Sequence, residues 1–94
     1  MQFEEFVKST KSANPPKILN QYALSLWYDA KPDWESAHTI IQDIEDKKAA
    51  WIHAYLHRKE GDTSNAAYWY NRAGKSIPAC SLEKEWEAIA KEVL

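Results

Sequence analysis

Residues 54–74 read AYLHRKEGDTSNAAYWYNRAG, and the spacing of small and aromatic side chains in this stretch decides the fold. Gly61 divides it. A helix is expected from about Asp46 to Glu60, stopped by Gly61, because glycine takes the left-handed conformation that ends helices without a Cβ penalty. Asp62 then caps a further helix that carries Ala66, Ala67, Trp69, Tyr70 and Ala73, and Gly74 and Pro78 close it. The apolar positions recur at helical spacing, and no segment of the chain alternates with period two.

The same signals recur upstream. Moved back by 29 positions, residues 62–73 fall on residues 33–44: Asp62 meets Asp33, Ala66 meets Ala37, Tyr70 meets Ile41, and Ala73 meets Ile44. The stop signals also meet, Gly61 on Pro32. Asp33 therefore caps a helix with the stripe Trp34, Ala37, Ile40, Ile41 and Ile44. The helix before it follows Pro15-Pro16, carries Ile18, Leu19, Tyr22, Ala23, Leu26 and Trp27, and ends at Lys31-Pro32; proline is tolerated in a first turn, where its missing N–H has no partner. Phe3, Phe6 and Val7 mark a short N-terminal helix. Ser81 caps a final one with Leu82, Trp86, Ile89, Ala90 and Val93 on one side. The expectation is one all-α domain over residues 1–94, built of tandem helix–turn–helix units at about 17–46 and 47–78, with a C-terminal capping helix at 81–94.

The second unit resembles a tetratricopeptide repeat. Ala54 holds the small-residue position of the first helix, Gly61-Asp62 the turn, Ala66-x3-Tyr70 the A-x3-aromatic element, Ala73 a second small position, and Pro78 the terminator. The resemblance covers residues 47–78 well and 18–46 loosely. It implies a right-handed stack of hairpins, with Leu82, Trp86, Ile89 and Val93 covering the exposed side of the fifth helix, since terminal repeats need a cap. It departs from the family at His53 and His57, which stand where Leu and an aromatic are usual. The block AYLHRKEGD-x3-A-x-YWY-x-RAG also resembles one shared by a group of uncharacterised proteins, from which no activity carries over.

Composition bounds the function. The 94 residues carry 12 basic and 14 acidic side chains, a formal charge of −2. No run of Lys or Arg exceeds two, so the basic stripe that releases counterions from nucleic acid is missing, and no apolar run is long enough for a membrane span. Charge is uneven, with five Lys against eight Asp and Glu over residues 1–47 and seven basic against six acidic residues over 48–94. The single cysteine, Cys80, excludes an internal disulfide and is read as a small apolar side chain in the Pro78–Ser81 connection. An acidic N-terminus without an apolar leader makes a reducing, cytoplasmic setting the default. No nucleophile elbow or phosphate-cradling loop is present, so no cofactor is implied and an enzyme is not expected.

Two faces of the fourth helix carry the functional candidates. By analogy with the repeat family, Trp51, Tyr55 and Arg58 line a concave surface with Lys48 at its upper end. Aromatics and Arg are enriched in binding hot spots, so this face suits a protein or peptide partner with an acidic or carboxylate group. The alternative is that the first unit or the N-terminal helix covers Trp51 and Tyr55. His53 and His57, at i and i+4, share another face with Glu60 nearby, a spacing able to hold a transition metal. A small metal-binding or hydrolytic protein, with Glu60 or Asp62 assisting, is the rival reading. Against it stands a plain helix–helix seam in which both imidazoles are hydrogen-bonded. A third reading is an oligomerising domain, a homodimer whose interface buries these aromatics. One of Tyr68 and Trp69 is expected on the final helix, against Trp86.

Overall fold

Five of the six helices begin where a side chain supplies an acceptor to the first turn. In the computed structural model, which describes residues 1–94, six helices form and no strand: α1 (Phe3–Ser9), α2 (Gln21–Ala30), α3 (Trp34–Ile41), α4 (Lys47–Lys59), α5 (Thr63–Ala73) and α6 (Leu82–Val93). Asn20, Asp33, Asp46, Asp62 and Ser81 accept from the backbone N–H three residues on. These caps satisfy donors that the first turn leaves unpaired.

The 29-residue offset is visible atom by atom at the two turns. The Asp33 N–H donates to the Tyr28 carbonyl and the Asp62 N–H to the His57 carbonyl, both at 3.0 Å. Each Asp carboxylate then accepts from its own i+3 amide at 3.2 Å. Two helical hairpins result, α2–α3 and α4–α5, and the contact between α4 and α5 is the most extensive in the molecule. Ala54 and Ala66 let these two helices approach, and Tyr70 fills the space beside them. Gly74 ends α5 in the left-handed conformation (φ 72°), and the Lys75 N–H reaches back to the Tyr70 carbonyl at 2.9 Å, the closure that favours glycine there.

The main core gathers Phe6, Leu26, Trp27, Ile41, Ile52 and Leu56 with Ile89 and Val93 of α6. Four indole N–H groups bolt separate elements together. Trp27 donates to the Ser9 carbonyl, Trp34 to Leu56, Trp86 to Leu26, and Trp51 to the Glu85 carboxylate, all within 3.2 Å. A tryptophan can thus bury a large apolar body while its one donor stays paired.

Several expectations change here. The helix after the prolines starts at Gln21, because Asn20 both caps it and donates from Nδ2 to the Val93 carbonyl at 2.8 Å; Ile18 is left outside, 76% exposed. The last helix does not lie over α5. Its apolar stripe enters the core against α2 and α4, where Ile89 and Ala90 are fully buried. Trp86 accordingly meets α1, stacking on Phe6 at 5.5 Å and edge-on to Phe3 at 6.0 Å. Trp69 turns to His53 instead of Trp86, and Tyr68 is exposed. Cys80 is exposed too, since the extended connection lifts it off the core.

Candidate functional site

The Trp51–Tyr55–Arg58 face lies along α4, and its lower half is filled from within the chain. Tyr55 is 2% exposed and donates its hydroxyl to Asp29 Oδ2 at 2.7 Å. Burial, followed by the Asp29 charge, pushes the Tyr55 phenol well above its usual range. Lys59 Nζ holds the other Asp29 oxygen at 2.9 Å. One turn away, Glu85 of α6 is 2% exposed. Its Oε1 accepts from Arg58 Nη1 at 2.7 Å, and its Oε2 accepts from the Tyr70 hydroxyl at 2.6 Å and Trp51 Nε1 at 3.1 Å. Arg58 also donates to the Cys80 carbonyl. The acidic groups that this face was expected to attract from a partner are provided from within the chain, by Glu85 of α6 and Asp29 of α2, because α6 packs against α2 and α4 rather than over α5.

The upper end remains open. Lys47, Lys48, Trp51 and Lys75 border a recess of about 260 Å³ with Glu92 of α6 on its rim. Lys75 Nζ sits 4.1 Å from the Trp51 ring centroid, a cation–π distance. None of the three lysines is in an ion pair. Lys47 and Lys48 begin α4, where the helix dipole already presents positive charge. The nearest cap, Asp46, is engaged by the Tyr22 hydroxyl and the Ala49 N–H, and its carboxylate also feels the Lys48 charge.

The opposite seam of α4 gathers every histidine in the protein. His53 and His57 are each 6% exposed, with ring centroids 4.9 Å apart. The third, His38, comes from α3; its Nε2 lies 3.0 Å from His53 Nε2, so one ring donates to the other. His38 and His57 are 5.3 Å apart. One ligand atom from each of the three lies within 4.8 Å of the others. Two indoles wall the cluster, Trp34 stacked on His38 at 4.7 Å and Trp69 on His53 at 3.9 Å. Burial, then the His38 and His57 charges, lowers the His53 pKa to about 4. Burial and His57 lower that of His38.

Glu60 approaches this cluster from outside, accepting from His57 Nδ1–H at 2.6 Å. Asp62 is occupied in capping α5. His57, Glu60 and Asp62 form a second trio within 4.8 Å, with both acids at the surface. None of the five surface recesses is lined by a histidine. Trp34 and His38 lie one turn apart on α3, but nothing local in the sequence brings that face to His53 and His57. Nothing local points to Glu85 or Asp29, whose partners lie 15 to 34 residues away.

No protein-family model, curated protein or solved structure matches this chain. No helix is long and apolar enough to cross a membrane.

Proposed function

We propose that the chain is a small helical-hairpin module of the tetratricopeptide-repeat kind that binds an acidic protein segment at the recess of Lys47, Lys48, Trp51 and Lys75. The two hairpins with matching turns, and the alanines at the α4–α5 contact, support the repeat reading. In it they are successive turns of a right-handed stack, and α6 is the closing helix. The observation that carries the functional reading is electrostatic: three ammonium groups without ion-pair partners surround a half-buried indole at the positive end of a 13-residue helix. A carboxylate brought there meets both point charges and the helix dipole, and the indole offers apolar area that is already ordered. The exposed Cys80 thiol fits a reducing, cytoplasmic setting.

The test uses a short Glu-rich peptide ending in Phe, with its Lys-rich counterpart as control, titrated into 15N-labelled protein at low salt. The Trp51 indole signal and the Lys47 and Lys48 amides should move with the acidic peptide only, and Lys48→Glu combined with Lys75→Glu should remove the effect. Salt should weaken binding, since these charges are solvent-exposed. Unmoved resonances at millimolar peptide would refute the reading.

A further inference from the structure

The histidine seam shares no residue with the lysine recess and carries an inference of its own. We propose that His38, His53 and His57 bind one transition-metal dication, with Zn²⁺ as the representative, as a staple between α3 and α4.

All three imidazoles of the protein meet at one point although they come from two helices and span 20 residues of sequence. Metal–imidazole bonds of roughly 2.0–2.1 Å place ligand nitrogens about 3.3–3.6 Å apart around one ion. The closest pair, at 3.0 Å, opens by a few tenths of an ångström while each ring turns its lone pair off the N–N line toward the ion, and the widest separation, within 4.8 Å, closes by up to about 1.5 Å. Both Nε2 atoms of the His38–His53 pair become ligands when the proton between them is carried on Nδ1 of the donating ring instead. His57 is oriented for the ion: its Nδ1 lies 2.6 Å from Glu60 Oε1, and in the tautomer that donates there Nε2 carries the lone pair. A carboxylate holding the far nitrogen of a ligand imidazole fixes the tautomer and raises its basicity, the usual outer support of a metal-bound histidine.

The donor set selects the class of ion. Three nitrogens, no thiolate and an outer carboxylate suit Zn²⁺, Co²⁺, Ni²⁺ or Cu²⁺ and do not suit Ca²⁺ or Mg²⁺, which want oxygen. The Trp34 and Trp69 planes cover His38 and His53, and His38 is the least buried of the three rings. No recess for a substrate is lined by these rings, so the ion's role is to hold the two hairpins together, adding cross-links where α3 meets α4. Glu60 therefore changes role from the ligand expected in the sequence to an outer partner.

Untagged, chelator-stripped full-length protein should take up Zn²⁺ one to one with a dissociation constant below about 10 µM. A Zn²⁺ level a hundredfold above that constant should raise Tm by about 11–22 °C. Long-range 1H–15N spectra should show metallated Nε2 on all three rings. His38→Ala, at a half-buried site, keeps the helical spectrum and should weaken binding at least a hundredfold; Glu60→Gln should weaken it about tenfold. Asp62→Ser, which preserves the cap, should leave affinity unchanged. Absence of stoichiometric binding at 100 µM Zn²⁺ overturns the proposal. So does undiminished affinity in His38→Ala, or loss of binding in Asp62→Ser, which would move the ion to the surface trio of His57, Glu60 and Asp62.

Discussion

Replacing Glu85 by glutamine keeps the size of the side chain and removes its charge, at the point where α6 locks onto α4 and α5. The carboxylate accepts three hydrogen bonds, from the Tyr70 hydroxyl, the Trp51 indole and the Arg58 guanidinium, and is 2% exposed. An amide has only one acceptor oxygen. Turned toward Tyr70 and Trp51, it keeps those bonds as neutral ones and faces its own N–H groups to Arg58. One charge-assisted hydrogen bond is then lost, worth ~1.5–3 kcal/mol, and a donor opposes a donor. Arg58 retains access to water (22% exposed side chain), which caps the penalty, so the substitution should cost about 2–3 kcal/mol. Glu85→Ala strands all three donors and opens a cavity, and about 3–5 kcal/mol is expected. Against a total of roughly 5–14 kcal/mol for a chain of this length, the glutamine variant stays folded. Its urea midpoint should fall by about 2 M for a slope near 1–1.5 kcal/mol/M. Arg58→Met measured alone and with Glu85→Gln closes a double-mutant cycle, and the pair should couple by at least about 1 kcal/mol. A Glu85→Gln cost below about 0.5 kcal/mol with no coupling would refute the idea that this buried carboxylate holds α6 in place.

Acid should destabilise the metal-free protein through the histidine seam. The His53 pKa lies near 4 in the fold against 6.5 when free, so below pH 6.5 the unfolded chain binds the extra proton; stability is full above that value and drains as pH falls toward 4. Between pH 7 and 5 the unscreened effect is about 2 kcal/mol, and partial solvent screening reduces it to ~1 kcal/mol. His38, also lowered, adds in the same direction. Urea midpoints in chelator at pH 7, 6 and 5 measure this; a flat profile, or the same slope in His53→Asn, would contradict it. Asp46→Ala removes the α4 cap and the acceptor of the Tyr22 hydroxyl, and a loss of roughly 1–2 kcal/mol in thermal unfolding is expected. At Gly74 a methyl group meets nothing closer than Lys47 Nζ at 3.9 Å. Gly74→Ala should therefore cost about 1 kcal/mol from the left-handed backbone alone; a neutral result would mean that the α5 terminus adopts another conformation.

Which parts of the molecule can be read from one sequence follows the range of the interactions. Helix starts at Asp33, Asp62 and Ser81 involve an amide three residues away, so these caps were legible; the Asp46 cap of α4 uses the same short range but stands in an acidic run, Asp43-Ile44-Glu45-Asp46, that does not single it out. The 29-residue offset was legible for the same reason: it repeats local turn chemistry, and Asp33 and Asp62 adopt matching hydrogen bonds. The start of α2 was not, because Asn20 is held partly by the Val93 carbonyl, 73 residues on. His53 and His57 are one turn apart on one helix, and their shared face follows from helical geometry alone. His38 joins them only because the α2–α3 hairpin packs on α4.

The position of α6 shows the division most clearly. Its amphipathic stripe at Leu82, Trp86, Ile89 and Val93 is plain in the sequence, but a stripe states only that one side must be buried. It does not name the surface that buries it. The choice fell to interactions between distant residues: Glu85 with Arg58, Trp51 and Tyr70, Trp86 with Phe6 and the Leu26 carbonyl, and Val93 with Asn20. Glu85 of α6 and Asp29 of α2 fill the Arg58 and Tyr55 half of the expected face, and the lysine recess stays open. The sequence by itself determined that six helices form and which residues make their apolar stripes, because these depend on neighbours within a turn, whereas the start of α2 and the end of α3, at Ile41 rather than Ile44, did not follow from it. Tertiary structure alone decided which stripes meet, and with them the three-histidine seam, since non-directional burial acquires direction through the fit and polar contacts of residues far apart in the chain.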